Sequence, residues 1–125
     1  MAHQQQATGG VSTRDRLDWL AAVQGALEAR ELSCTAFALA YVIGFVYLNG
    51  RRGVAWPTQQ TLGRRLGLGE RQVRALLHDL EAARFISRTS FGKRRPDEIR
   101  LCFDRFDRSE KEDKVSAYKR LLEGP

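Results

Sequence analysis

Two short helical periods stand on either side of Gly67-Leu68-Gly69, and this interruption limits the folds open to the chain more than any other stretch. Leu62 and Leu66 are one turn apart before it, while Val73, Leu76, Leu77 and Leu80 recur at three- and four-residue intervals after it. Gly67 can adopt the positive φ of a tight turn, and Gly63 is small where two helices would cross. Helices joined so closely cross at a steep angle and share one core, which Leu62, Leu66, Leu68, Val73 and Leu77 would fill. Burying that core turns the other side of the second helix outward. Arg71, Gln72, Arg74, Ala75 and His78 fall on that side.

The flanking sequence extends the pattern in both directions. Ser12, with Asp15 three residues on, predicts a capped helix running to about Arg30. Its apolar residues form two stripes about 100° apart, Leu17, Leu20, Ala21 and Leu27 on one and Trp19, Ala22, Val23 and Ala26 on the other. A helix apolar over that much of its circumference predicts two neighbours, the domain and a second subunit. Ser33 caps a further helix that continues through Phe37, Leu39, Ala40, Ile43, Val46 and Tyr47 and stops at Asn49-Gly50. Val54-Ala55-Trp56 reads as a short extended segment closed by Pro57. Thr58 opens a third helix, and residues 70–84 form a fourth. Residues 85–89 and 98–103 then alternate as strands do, and they flank a loop rich in turn residues, so the pair predicts a hairpin with Lys93, Arg94 and Arg95 at its tip. Residues 1–11 read as a disordered arm, and 104–113 as a charged linker. A short helix follows, with Val115, Tyr118 and Leu122 on one face.

Composition says where the charge lies. A chain of 125 residues holds one ordinary domain and leaves no room for a separate ligand-sensing domain. Its formal net charge is +6. Residues 51–100 carry 12 Lys or Arg against 5 Asp or Glu, a net of +7, while the rest of the chain carries 9 against 10. A basic field confined to one segment marks a site for a polyanion. Of the 21 basic residues 17 are Arg, the side chain suited to bidentate contacts with phosphate and guanine. Cys34 and Cys102 occupy apolar positions without zinc-site spacing and read as reduced core residues. The first ten residues are polar, with no signal peptide, and the most apolar run, 36–48, falls short of the roughly 20 residues of a membrane span. The expectation is a cytoplasmic protein with no membrane partner.

The stretch from Gly53-Val54-Ala55-Trp56-Pro57 through Leu80-Glu81-Ala82-Ala83-Arg84-Phe85-Ile86, preceded by Leu32-Ser33, resembles the winged helix-turn-helix of GntR-type regulators. It is similar still more closely to the small helix-turn-helix domains of plasmid and phage replication proteins and mobile-element regulators. The resemblance covers residues 32–103 and implies a mainly α fold with a small β-hairpin wing. It also implies double-stranded DNA as partner, with the 70–84 helix inserted in the major groove. Base contacts would then come from Arg71, Gln72, Arg74, Ala75 and His78. Phosphate contacts would come from Thr58, Gln59, Gln60, Thr61, Arg64 and Arg65 on the preceding helix and from Lys93, Arg94 and Arg95 on the wing. Two positions depart from the pattern. Gly69 stands where such domains usually carry a capping Ser, and Gln72 where they usually carry Thr.

Three functions fit these features: a small sequence-specific transcriptional regulator, the DNA-binding part of a replication or recombination initiator, and a winged-helix module that binds protein. The central positive charge favours the first two. The sequence contains no Ser/His/Asp or Cys/His arrangement, no phosphate-binding glycine loop and no metal-ligand cluster, so neither catalysis, a cofactor nor a small-molecule effector is expected. A single recognition helix reads few base pairs, which makes a homodimer the expected assembly. The 12–31 helix is the first candidate interface and the Val115 to Leu122 segment the second.

Overall fold

The computed structural model describes residues 10–103; the Val115 to Leu122 helix, the charged linker and most of the N-terminal arm lie outside the described residues. Helix α1 (Thr13–Glu28) begins at a capping box, in which Ser12 Oγ accepts from the Asp15 N–H at 3.0 Å and Asp15 Oδ2 accepts from the Ser12 N–H at 3.2 Å. It stops short of Arg30 because Arg30 itself takes φ 63° and reverses the chain. The Glu31 N–H then returns to the Ala26 carbonyl at 2.8 Å and the Arg30 N–H to Leu27 at 3.0 Å, which satisfies the free carbonyls of the last turn. Of the two apolar stripes, Trp19, Val23 and Ala26 are buried, whereas Leu17 on the other stripe is 55% exposed. Val11, expected in the arm, instead packs against the core and donates to the Gly50 carbonyl at 2.8 Å.

Helix α2 (Cys34–Tyr41) is capped by Ser33, whose Oγ accepts from the Ala36 N–H at 3.1 Å. The single α-helix expected from residue 33 to 49 is corrected here. After Tyr41 the backbone widens into a π-helix, Val42–Tyr47. The wider turn changes the helical phase, so Val42, Ile43 and Gly44 are all buried while Val46 points out. Gly44 lies beneath Trp19: a Cβ there would sit 2.9 Å from the Trp19 ring. A second correction concerns the cysteines. Cys34 is exposed, because it opens the first turn of α2 on the outer side, and Cys102 is half-buried; both are free thiols.

Gly53, at φ 71°, ends the Asn49 turn, in which Asn49 Oδ1 accepts from the Arg52 N–H at 3.0 Å. The chain then enters strand β1 (Val54–Ala55). Helix α3 (Gln59–Leu66) and helix α4 (Glu70–Ala82) follow, separated by Gly67 at φ 70°. Helix α4 ends two residues early, as α1 does: Arg84 takes φ 66°, and the Phe85 N–H bonds to the Leu80 carbonyl at 3.0 Å. Strands β2 (Ile86–Thr89) and β3 (Glu98–Leu101) form the expected antiparallel hairpin, with Ile86 opposite Leu101 and Arg88 opposite Ile99.

The expected two-stranded hairpin is in fact part of a three-stranded antiparallel sheet in the order β1-β3-β2. Strand β1 pairs with the free edge of β3, placing Val54 opposite Arg100 and Ala55 opposite Ile99. An isolated hairpin is marginal in water, and the third strand covers an edge that would otherwise be bare. The molecule is thus mainly helical with a small antiparallel sheet. Its core is apolar among the described residues and runs from Trp19 and Val23 through Leu39, Ile43, Leu62, Val73 and Leu80 to Phe85, Ile86 and Ile99. Trp19 joins the two ends of this core. Its Nε1–H donates to the Phe85 carbonyl at 2.9 Å, so the first helix is bonded to the root of the hairpin. No helix among the described residues is long and apolar enough to cross a membrane.

Candidate nucleic-acid interface

The α3–α4 corner holds its shape through one close backbone approach. Gly63 needs to be a glycine mainly because a Cβ there would collide with the Leu68 carbonyl oxygen; the crossing helix, expected to be the reason, contributes only ordinary contact, with Val73 Cγ2 at 3.6 Å. The Leu68 N–H donates to the Gly63 carbonyl at 2.8 Å, and the Gly67 N–H to the same carbonyl. This corner buries Leu62, Val73 and Leu77 and half-buries Leu66 and Leu68. With α4 fixed on its inner side by Val73, Leu76, Leu77 and Leu80, the outer residues Arg71, Gln72, Arg74, Ala75 and His78 are all exposed.

At the start of α3, Thr58 is the N-cap. Its Oγ1 accepts from the Thr61 N–H at 3.0 Å and lies 2.8 Å from the Thr61 hydroxyl. The N–H groups of Gln59 and Gln60 remain in the first turn as donors at the positive end of the helix dipole. Helix α4 has no side-chain cap at Gly69, which leaves its first-turn N–H groups open as well.

Between these helix ends and the hairpin lies an open groove of about 750 Å³. Thr58, Gln59 and Gln60 line it from α3, Glu70 and Arg74 from α4, and Arg88, Lys93, Arg94, Arg95 and Asp97 from the hairpin. Five basic residues thus face two acidic ones across a concave surface that also receives backbone N–H donors. Such a surface binds anions through forked guanidinium contacts and helix N-termini. Gln59 Oε1 accepts from Arg74 Nε at 3.4 Å across the groove floor. At the hairpin tip, the Arg95 guanidinium lies 5.0 Å from the centre of the exposed Phe91 ring.

No family model, curated protein or solved structure matches this chain.

Thr61, whose N–H and hydroxyl meet Thr58 Oγ1, lies outside the groove lining, and the other residues expected to contact phosphate divide into two groups. Thr58, Gln59 and Gln60 meet Lys93, Arg94 and Arg95 in the groove, and Arg74 joins them from the set expected to read bases. Arg64 and Arg65 are exposed at the opposite end of α3, in its last turn. Arg65 Nε donates to the Tyr47 hydroxyl at 3.3 Å and its guanidinium lies 5.7 Å from the Tyr47 ring centre, which ties α3 to the end of the π-helix. Arg71, Gln72, Ala75 and His78 lie on the open face of α4 outside the groove lining.

Arg88 carries no sequence signal beyond strand alternation, which puts it on the same side as the buried Ile86. Its Nε and Nη2 both donate to Glu81 Oε1, at 3.3 and 3.0 Å, so β2 is fastened to the last turns of α4. The bond is half in solvent and modest in strength. Its effect is to fix the hairpin relative to α4, two of the elements that line the groove.

Proposed function

We propose that this protein binds double-stranded DNA sequence-specifically as a winged helix-turn-helix, with α4 in the major groove and the β2–β3 hairpin as the wing, and that it acts as a small transcriptional regulator. The observation that carries this reading is the groove in which the α3 N-terminus, Arg74 and the basic hairpin tip converge. Phosphates would be held by the N–H groups of Gln59 and Gln60 and by Lys93, Arg94 and Arg95, and base edges would be read from Arg71, Gln72, Arg74, Ala75 and His78. The confinement of the net +7 to residues 51–100 agrees with this division of labour.

Selection of bound duplexes from a random DNA pool tests the reading. The expected outcome is a preferred sequence that Arg71→Ala and Arg74→Ala blur, each costing about 1–3 kcal/mol of discrimination at its own base pair. Arg94→Ala should weaken all sequences alike and lower the slope of log K against log salt by about one unit. Wild-type protein that retains no DNA at low salt would reject DNA binding and favour a protein-binding module.

A homodimer completes the proposal. Leu20 of the second α1 stripe packs against the core, but Leu17 and Ala21 are exposed and would supply an apolar contact for a second copy, which would place two recognition helices on half-sites roughly 34–36 Å apart. Light scattering at micromolar concentration should give twice the monomer mass, and Leu17→Glu should return it to one. A monomer both with and without selected DNA would remove the dimer from the proposal.

A further inference from the structure

Arg74, on the exposed face of α4, is bonded to a side chain of another helix. Its Nε–H donates to Gln59 Oε1 at 3.4 Å, and both side chains line the groove. The polarity of this bond is set by chemistry. A guanidinium has only donors, so Gln59 must present its oxygen, and its Nε2 amide stays available as a donor. Gln59 itself is well placed for such a role. It is half-buried at the first position of α3, next to a cap already closed by Thr58 on Thr61, in a helix anchored by the buried Leu62.

A guanidinium reads guanine through two parallel N–H groups directed at O6 and N7. It can do so along its Nε/Nη2 edge or through its Nη1/Nη2 end. With Nε engaged by Gln59, the end is what remains for DNA. We propose that Gln59 is a positioning residue that holds Arg74 end-on toward the major groove and so makes it a reader of guanine. The inference rests on the DNA-binding reading above and adds to it which base Arg74 selects and what aims it. An arginine held before DNA arrives loses less rotamer freedom on binding than a free one, so the tie favours the specific complex over one in which Arg74 only finds a phosphate.

The test starts from the duplex selected by the wild-type protein and compares its affinity with that of duplexes in which each G·C pair is changed in turn to A·T. One pair should lose its influence in Arg74→Ala, and that pair identifies the base read by Arg74. At that pair, Gln59→Leu and Gln59→Ala should each reduce discrimination roughly tenfold, equivalent to 1.4 kcal/mol. Gln59→Glu, whose carboxylate accepts the same bond, should preserve the ratio even though its charge weakens every complex. In an Arg74→Ala background, Gln59→Leu should change the ratio no further. Circular dichroism melts accompany each variant, and Gln59→Ala serves if the leucine variant fails to fold. Unchanged discrimination in both Gln59→Leu and Gln59→Ala overturns the proposal, as does a loss that persists undiminished without Arg74. A uniform weakening at every pair, with discrimination at the Arg74 pair unchanged, also overturns it and makes Gln59 a phosphate contact. If the wild type binds selectively but Arg74→Ala alters no base preference, the positioning role falls while DNA binding stands; if the wild type binds no DNA, both fall.

Discussion

Trp19→Ala should lower the unfolding free energy by about 3–5 kcal/mol, a large part of the 5–15 kcal/mol that holds a domain of this size together. Trp19 is 1% exposed and lies over Gly44, where the π-helix comes close enough that no Cβ would fit without displacing the ring. Its removal opens a cavity lined by residues of α1 and the π-helix and also releases the hairpin root from α1. Trp19→Phe separates the two contributions. The Phe85 carbonyl also accepts the Cys102 N–H at 2.8 Å, so loss of the indole N–H leaves it with a partner. Phenylalanine should therefore cost only about 1 kcal/mol for the lost hydrogen bond, plus a small packing defect. Urea unfolding followed by far-ultraviolet circular dichroism gives both values, with Trp56 fluorescence as an independent probe. Equal losses for the two variants would mean that the hydrogen bond, and not the ring's volume, dominates.

Gly63→Ala is expected to cost about 2–3 kcal/mol, an overpacking effect at a point where the obstacle is main chain. The new methyl would meet the Leu68 carbonyl oxygen, which cannot swing aside as a side chain does. Relief requires the α3–α4 turn to open, and that breaks the Leu68 N–H bond to the Gly63 carbonyl and tilts α4. If the protein binds DNA as proposed, the loss of stability should be accompanied by a loss of DNA retention beyond what the unfolded fraction explains. Gly69→Ser is the control, because a Cβ at Gly69 meets nothing within 4 Å and its φ of −77° suits any residue. A Gly63→Ala protein as stable as wild type would show that the turn has slack that the close approach hides.

The central segment is readable in the sequence because each of its signals is local. Thr58 and Thr61 are three residues apart, Gly67 marks the turn, and the Val73, Leu76, Leu77, Leu80 stripe repeats within one helix. Capping by Ser12 and Ser33 is legible for the same reason. What escapes is long-range. Apolar spacing reports which residues are buried but not which carbonyl each N–H reaches, so the π segment at 42–47 reads as ordinary helix. Strand β1 is two residues long, and its pairing with β3 spans more than forty positions, with nothing in Val54-Ala55 to announce the partner. Within the groove, the membership of Arg74 and of the hairpin tip follows from their faces. The Gln59–Arg74 bond and the diversion of Arg65 onto Tyr47 depend on how elements approach one another, and single-residue patterns do not contain that information. Cys34 reads as buried yet is exposed for a related reason, since an apolar side chain at the first turn of a helix can face either way.

The strand order β1-β3-β2 places the last of the described strands to be made at the centre of the sheet. During synthesis neither Val54–Ala55 nor Ile86–Thr89 has a strand to pair with until Glu98–Leu101 is complete. At 5–20 residues per second, the ribosome leaves β1 with an open edge for roughly 2–9 s while the next 46 residues are added. Over that interval the helices must shield Leu39, Ile43 and Leu62 by themselves, and a chain cut short between Thr89 and Glu98 keeps two orphan strands that invite pairing with other nascent chains.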